Sequence, residues 1–233
     1  MARYHHRATL PALLICLLIA AGLLLFAWHQ LRTRTTLPAD SNMSTIGVEL
    51  NQDQGMVDLQ LLKKQGVDFV YLRGTQGRSY FDDNYDLYRD QLQGIAMPFG
   101  TVVYFSNEST VSQQLVFFNK KIGKEAGELP VMIVPAVSDR SSKFLRAMSH
   151  FAACLQKQGQ AVLVSDACPA KYLAKGTQRL LTTNRSSQQG YAFWRYTVNG
   201  RVKNVDQLQG KTTMFAYLGS SGSFARLYEN SLN

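Results

Sequence analysis

The sequence has few of the side chains that bind metals or form covalent cross-links, with 3 cysteines and 4 histidines among 233 residues. Cys16 lies in a long apolar run, and no C-x-x-C pair occurs anywhere. His150 stands alone on a helix-like stretch, while the other histidines flank the apolar run. We therefore expect no metal site and no cofactor. Cys154 and Cys168 would form a disulfide outside the cell or remain thiols inside it, and the sequence leaves both options open.

Charged side chains are missing from residues 8–28, and residues 10–27 are almost wholly apolar. About 20 such residues form a helix that can cross the roughly 30 Å hydrocarbon core of a bilayer. A cleaved signal peptide usually has a shorter apolar stretch, about 7–15 residues, before a small-residue cleavage site. We therefore expect a stub and uncleaved membrane anchor over residues 1–31, followed by a linker over residues 32–45. Arginines flank the run on both sides, so the positive-inside rule leaves its orientation undecided.

Acidic residues are outnumbered, since 25 Lys and Arg face 16 Asp and Glu for a net charge of +9. Such a surface favours anionic neighbours, among them acidic wall polymers and lipid headgroups. The basic residues are scattered, and no basic helix or basic–aromatic stripe stands out, so we do not expect nucleic-acid binding. A solvated surface that aids solubility explains the same charge.

Strand-like and helix-like segments alternate along residues 46–233, which is long enough for one domain with a substantial core. Such alternation is typical of βαβ units around a mostly parallel sheet, and continuous apolar strands fit a sheet buried on both faces. The predicted strands cover residues 45–50, 68–72, 99–105, 129–137 and 161–165, with a last strand at 191–196. The predicted helices cover residues 57–65, 84–93, 112–122 and 142–156. We therefore predict an α/β protein with an irregular (β/α) TIM-like barrel, because residues 170–189 are short for the remaining units.

Chemistry in such barrels lies at the C-terminal ends of the strands. The side chains at these positions carry a family resemblance. The run GVELNQDQGMVDLQLLKKQGVDFVYLRGTQGRSYFDDNYD is similar to the opening of glycoside hydrolase family 25, whose members have G-I-D-V-S-x-W-Q-G and then G-[IV]-D-F-V-x-[IV]-K-x-T-E-G-x-x-Y-x-D. The later runs LPVMIVPAV and FWRYTVNGRVKNVDQL resemble the family's L-P-x-V-L-D-V-E and W-Q-Y-x-x-x-G-x-V blocks.

This resemblance implies a flattened (β/α) barrel whose relatives cut N-acetylmuramic acid linkages of peptidoglycan outside the cell. It also implies that the N-terminus is cytoplasmic and that the domain lies outside the cell membrane. The expected partners are then peptidoglycan glycan strands, and with them the anionic wall polymers that the net charge favours.

The sequence departs from the family at its acidic residues. The D-x-E pair at the end of the fourth strand falls on Val134 and Ala136, which carry no ionisable group. The first-strand aspartate becomes Glu49, and the glutamate of the T-E-G block becomes Gln76. Glycoside hydrolysis ordinarily needs two carboxyl groups flanking the bond. By alignment, Glu49 and Asp206 are the carboxylates that survive, and they are the candidate catalytic residues.

A relocated carboxylate, Asp139 or Asp166, is the alternative that would rescue activity. A displacement of about 1 Å can cost on the order of 100-fold in rate, so we expect muramidase activity to be lost or strongly reduced. Arg73 either contacts a ligand or pairs with Glu49. The residues predicted to bind substrate are Asn51, Gln54, Arg73, Gln76, Tyr80, Tyr104, Asp166, Trp194 and Tyr196.

Three functions from different classes fit these features. The first is a membrane-anchored, lysozyme-like domain that binds peptidoglycan with little or no hydrolysis. The second is an active muramidase that uses Glu49 with Asp139, Asp166 or Asp206. The third is a protein-interaction module on the outer face of the membrane, with the old cleft filled.

Overall fold

A computed structural model describes residues 9–32, 34–39, 43–182 and 188–229. The first element is helix α1, Thr9–Arg32, which contains the predicted anchor. Its segment Pro11–Trp28 has a mean hydropathy of 2.5, and none of that segment is buried against the rest of the protein. Length and composition make this helix long and apolar enough to cross a membrane, a test that signal sequences also pass.

The rest of the described chain alternates strands and helices before it ends in two long strands. The strands are β1 Ile46–Leu50, β2 Phe69–Gln76, β3 Tyr80–Phe81, β4 Phe99–Phe105, β5 Val131–Pro135, β6 Val162–Ser165, β7 Gln178–Leu181, β8 Phe193–Arg201 and β9 Gln209–Tyr217. The helices are α2 Leu59–Lys64, α3 Tyr85–Gly94, α4 Val111–Lys121, α5 Ser142–Lys157 and α6 Ser221–Phe224. Short helical turns occur at Gln52–Gln54, Ala170–Tyr172, Asp206–Leu208 and Ala225–Glu229.

The strands close into a barrel. Their order is β1-β9-β8-β7-β6-β5-β4-β2, and β2 pairs back onto β1, while β3 adds to β2 as a short hairpin outside the ring. Neighbours from β1 to β8 are parallel, whereas β9 runs antiparallel to both β8 and β1. The predicted α/β barrel is therefore confirmed as a closed, eight-stranded barrel with helices around it.

Two apolar layers hold the barrel together because successive side chains of a strand point to opposite faces. One layer fills the interior, where aromatic rings dominate: Phe69, Tyr71, Phe193, Phe215, Tyr217 and Phe224 are packed with smaller apolar residues. The other layer lies between the strands and helices α2–α5, and includes Val48, Val70, Val103, Ile133, Val164, Phe118, Phe151 and Leu155. Helix α5 buries its apolar side in this layer and begins at the N-cap Ser141, whose hydroxyl accepts from Phe144 N.

One prediction for the C-terminal third was wrong, and another was confirmed. The strand predicted as the last begins at Phe193 and runs to Arg201, and β9 follows it. Between β6 and β8 a single helical turn and the short β7 replace full βα units, which accounts for the shortness of that segment. The regular βα alternation therefore ends at β6, and the ring is completed by the β8–β9 hairpin.

Candidate functional site

The carboxyl ends of β1, β2 and β4 form one side of the barrel mouth. Glu49 is next to last in β1 and lies beside Tyr71 of β2 in the parallel register. Gln76 ends β2 and lies beside Tyr104 of β4. Parallel strands end at the same rim, so these side chains meet above the aromatic interior.

Glu49 is a buried carboxylate, with 6% of its surface exposed. Its Oε1 accepts a 2.7 Å hydrogen bond from the hydroxyl of Tyr104. Burial raises the pKa of Glu49 above its ordinary value, and the Tyr104 hydrogen bond and the charges of Arg73 and Arg195 act in the opposite direction. The net result favours the protonated carboxyl more than in a free side chain.

Arg73 lies between two tyrosine rings. Its guanidinium carbon is 4.7 Å from the centre of the Tyr80 ring and 4.8 Å from that of Tyr104, close enough for cation–π attraction. Its Nη2 donates to Gln76 Oε1 at 2.8 Å. The direct Arg73–Glu49 ion pair is absent among the described residues, so this option of the sequence analysis was wrong. The buried Nε of Arg73 has no hydrogen-bond partner.

Asp82 is a buried carboxylate at the mouth that the sequence reasoning missed, and its negative charge raises the pKa of Glu49. Its Oδ2 accepts from Gln52 N at 3.0 Å and from the Tyr80 hydroxyl at 3.2 Å, and its Oδ1 accepts from Asn84 N at 3.1 Å. Burial is the largest cause of the raised pKa of Asp82. The signal for this residue was present, because Asp82 ends the T-Q-G-R-S-Y-F-D run.

Apolar side chains occupy the part of the rim next to Tyr104. Val134 of β5 lies beside Tyr104 in the register, is 5% exposed and belongs to the interior layer. Ala136 follows the strand, and its backbone N–H donates to Phe105 O at 2.9 Å. Neither position can transfer a proton, so the end of β5, next to β4 in the ring, offers no carboxylate to act with Glu49.

Asn51 and Gln54 lie in the turn after β1 and form a capping box there. Asn51 Oδ1 accepts from Asp53 N at 2.7 Å, and Gln54 Oε1 accepts from Asn51 N at 2.7 Å. The side-chain carbonyls hold the turn, which leaves the two amide NH₂ groups for any ligand. Their role in binding stays a prediction.

The other predicted site residues lie apart from this cluster. Asp166 Oδ1 accepts from both the backbone N–H and the hydroxyl of Thr182. Trp194 is 7% exposed and follows Phe193, an interior residue, so strand alternation directs it to the outer face. The Tyr196 hydroxyl donates to Thr36 O at 2.8 Å.

Asp206, the second candidate catalytic residue, is exposed and begins the helical turn between β8 and β9. The site that the structure assembles therefore consists of Glu49, Arg73, Gln76, Tyr80 and Tyr104, with Asp82 below Tyr80. Within the described residues, no group of three or more His, Cys, Asp or Glu side chains could hold a metal ion.

The chain forms a closed α/β barrel, with a buried carboxylate and aromatic side chains at the C-terminal ends of its strands. Enzymes with α/β barrels carry their active sites at this rim. Residues 48–165 match the family model of glycosyl hydrolases family 25. The chain belongs to this family, as its sequence motifs predicted.

Relatives of known identity agree with this assignment. The autolytic lysozyme of Clostridium acetobutylicum is 30% identical over 73 residues, which cover 31% of this chain and 22% of that protein. The chain thus matches about a fifth of the length of that relative.

Solved structures share the fold at low identity. A family 25 glycosyl hydrolase from Bacillus anthracis aligns with a TM-score of 0.67 at 18% identity, over 84% of this chain and 97% of that one. The bacterial lysozyme of Streptomyces coelicolor aligns with a TM-score of 0.65 at 18% identity, over 82% and 100%. The autolysin LytC of Streptococcus pneumoniae, solved with a synthetic peptidoglycan ligand, aligns with a TM-score of 0.59 at 14% identity, over 74% and 46%.

Proposed function

We propose that this protein is a peptidoglycan-binding domain of the family 25 type, held at the outer face of the cell membrane by α1, with muramidase activity lost or strongly reduced. The observation that carries the proposal is the composition of the mouth. Glu49 remains and is buried, whereas Val134 and Ala136 stand where a carboxylate pair would complete the chemistry.

The chemical argument begins with the two carboxyl groups that glycosidases place about 5–9.5 Å apart across the scissile bond. A raised pKa suits Glu49 to donate a proton or a hydrogen bond, but a base or nucleophile is needed as well. Asp82 is near enough to act on Glu49 electrostatically, yet both its oxygens already accept hydrogen bonds. It serves to fix the turn after β1 and the β3 hairpin.

The relocated carboxylates considered from the sequence are also tied to their own loops. Asp139 Oδ1 accepts from Ser141 N at 2.7 Å, at the start of α5. Asp166 is held by Thr182, and Asp206 is exposed on the turn beyond β8. The active-muramidase alternative would require one of these to leave its contacts and reach the bond opposite Glu49.

Glycan binding needs only part of this machinery. The partly exposed Tyr80 offers an aromatic face with a polar tip, which suits sugar rings. Gln76, which is partly exposed, supplies a hydrogen-bonding amide beside that face. The lysozymes among the relatives and the peptidoglycan-bound autolysin support peptidoglycan as the ligand class.

The test is sedimentation of the full-length chain, kept soluble in detergent, with purified cell-wall sacculi. We expect the wild-type protein to pellet with sacculi and Tyr80→Ala to lose most of this binding. Tyr172→Ala is the matched control, because Tyr172 lies on the outer wall beside Arg146 and Lys171. If the wild-type protein stays in the supernatant, the binding function is refuted and the protein-interaction module becomes the better account.

A further inference from the structure

The segment that follows the membrane helix is hydrogen-bonded to the β8–β9 hairpin. Thr36 N donates to Arg201 O at 2.9 Å, and Arg201 N donates to Thr36 Oγ1 at 3.1 Å. Lys203 N donates to Thr35 Oγ1 at 3.0 Å, and the Tyr196 hydroxyl donates to Thr36 O at 2.8 Å. We call this contact of Thr35 and Thr36 the latch. Four hydrogen bonds on two consecutive residues fix the chain to the hairpin.

The hairpin formed by β8 and β9, called here the rim hairpin, extends beyond the mouth of the barrel. Leu181, the last residue of β7, pairs with Trp194 near the start of β8, and β8 then continues to Arg201. At roughly 3.3 Å per residue, the stretch from Trp194 to Arg201 carries β8 about 20 Å along its own direction beyond the end of β7. It projects from the rim on which Glu49 lies, because β8 is parallel to β7.

The latch lies very close in sequence to the end of α1. The helix ends at Arg32, and the first latch residue is Thr35. Consecutive Cα atoms are about 3.8 Å apart, so the end of the helix lies within roughly 11 Å of the latch. If α1 crosses the membrane, the tip of the rim hairpin must therefore lie at the level of the lipid headgroups.

The side chains around the latch fit that location. Arg34, Lys203 and Lys211 are exposed cations, opposed at the tip by Asp206. Leu37, the residue after the latch, is 66% exposed. Basic side chains with interspersed apolar ones are attracted to a membrane surface that carries anionic lipids.

We propose that the rim hairpin rests on anionic lipid headgroups, so that the barrel mouth faces the membrane. The inference rests on the proposed membrane anchoring by α1. In this orientation the domain would bind glycan that lies next to the membrane. Outer layers of the wall would be out of reach of a mouth with this orientation.

The test uses the full-length chain in vesicles of phosphatidylcholine and phosphatidylglycerol, with Cys16→Ala and Cys154→Ser to remove reactive thiols. A fluorophore is attached at Gln207→Cys on the hairpin tip or at the matched control Gln158→Cys. Both positions are exposed, and Gln158 caps the end of α5 at the opposite end of the barrel. A quencher on the lipid headgroups then reports how close each label lies to the membrane.

We expect quenching at position 207 to be several-fold stronger than at position 158, and to weaken in vesicles of phosphatidylcholine alone. Thr36→Pro, which removes an N–H and a hydroxyl of the latch, should abolish the difference, and the milder Thr35→Val should reduce it. Equal quenching at both positions, in protein that floats with the vesicles, would overturn this inference and leave the anchor intact. Failure to float with the vesicles would instead refute the membrane anchor itself.

Discussion

Replacing Tyr104 by phenylalanine removes the hydroxyl that donates a 2.7 Å hydrogen bond to Glu49 and keeps the ring that stacks on Arg73. Hydrogen bonds to charged groups contribute about 1.5–3 kcal/mol, and the acceptor here is a carboxylate that is 6% exposed. We therefore expect Tyr104→Phe to lower the free energy of unfolding by about 1.5–3 kcal/mol at pH 7. For a domain of this size, that loss lowers the melting temperature by about 3–12 °C.

The effect should depend on pH with a defined sign. Burial raises the pKa of Glu49 in the folded state above its unfolded value of about 4.3. The protonated Glu49 carboxyl therefore stabilises the folded state fully at pH values below the pKa of the unfolded state. This stabilisation is lost as the pH rises through the pKa of the folded state. The Tyr104 hydroxyl favours the charged form, so its removal costs most at neutral pH. Below the unfolded pKa the cost should fall to that of a neutral hydrogen bond, about 1 kcal/mol.

The assay is thermal unfolding in detergent micelles at pH 7 and pH 4, followed by near-ultraviolet circular dichroism. Glu49→Gln keeps the shape of the side chain and removes its charge, so it should stabilise the protein at pH 7. In that background Tyr104→Phe should cost about 1 kcal/mol less than in the wild type. The idea that Tyr104 holds a charged Glu49 would be refuted by either of two results. One is that the two substitutions change the free energy of unfolding additively, and the other is that the cost of Tyr104→Phe in unfolding free energy does not change with pH.

Other substitutions test the packing, the helix caps and the thiols. Gly47→Ala should cost about 1–3 kcal/mol of unfolding free energy, since a Cβ there would lie 2.2 Å from a buried phenylalanine ring, whereas Gly94→Ala, with nothing within 4 Å, should be neutral. Thr110→Ala removes the N-cap of α4 and should cost about 1 kcal/mol by denaturant unfolding; an unchanged midpoint would contradict the capping box. Of the two domain cysteines, the partly exposed Cys154 should react with a thiol reagent in the native state. Cys168 is buried, and burial raises the pKa of its thiol to about 11, so it should react only after unfolding. A shift in mobility on reduction would instead indicate a disulfide.

The first two thirds of the barrel could be predicted because its signals are local. The buried strands read as continuous apolar runs, and helices such as α5 carry an apolar stripe, so β4 was placed at its observed bounds. The short β7 has too few residues to show a period. The first three residues of β9 are exposed or half-buried, so β9 starts without an apolar pattern. Hairpin pairing, rather than hydrophobic pattern, holds that part of the chain.

The site was predictable only as a set of strand ends. Sequence position placed Glu49, Gln76 and Tyr104 at one rim, and the structure brings them together. The partner of Arg73 depends on side-chain direction, so its stacking between two tyrosines could not be read from spacing. The latch joins residues far apart in sequence, and each of its hydrogen bonds has a backbone group on at least one side, so no residue pattern marks the pairing of Thr36 with Arg201.

The measurement that tests the central claim most directly is the release of reducing sugar ends from purified sacculi by excess full-length protein, with Glu49→Gln alongside. If the mouth binds glycan beside Tyr80 and Gln76, and the oxygens of Asp82 stay engaged in hydrogen bonds, no second carboxylate is free to complete the reaction. We then predict sacculus binding with no release above the Glu49→Gln background. Release that depends on Glu49 would contradict the account and show that another carboxylate completes the catalytic pair.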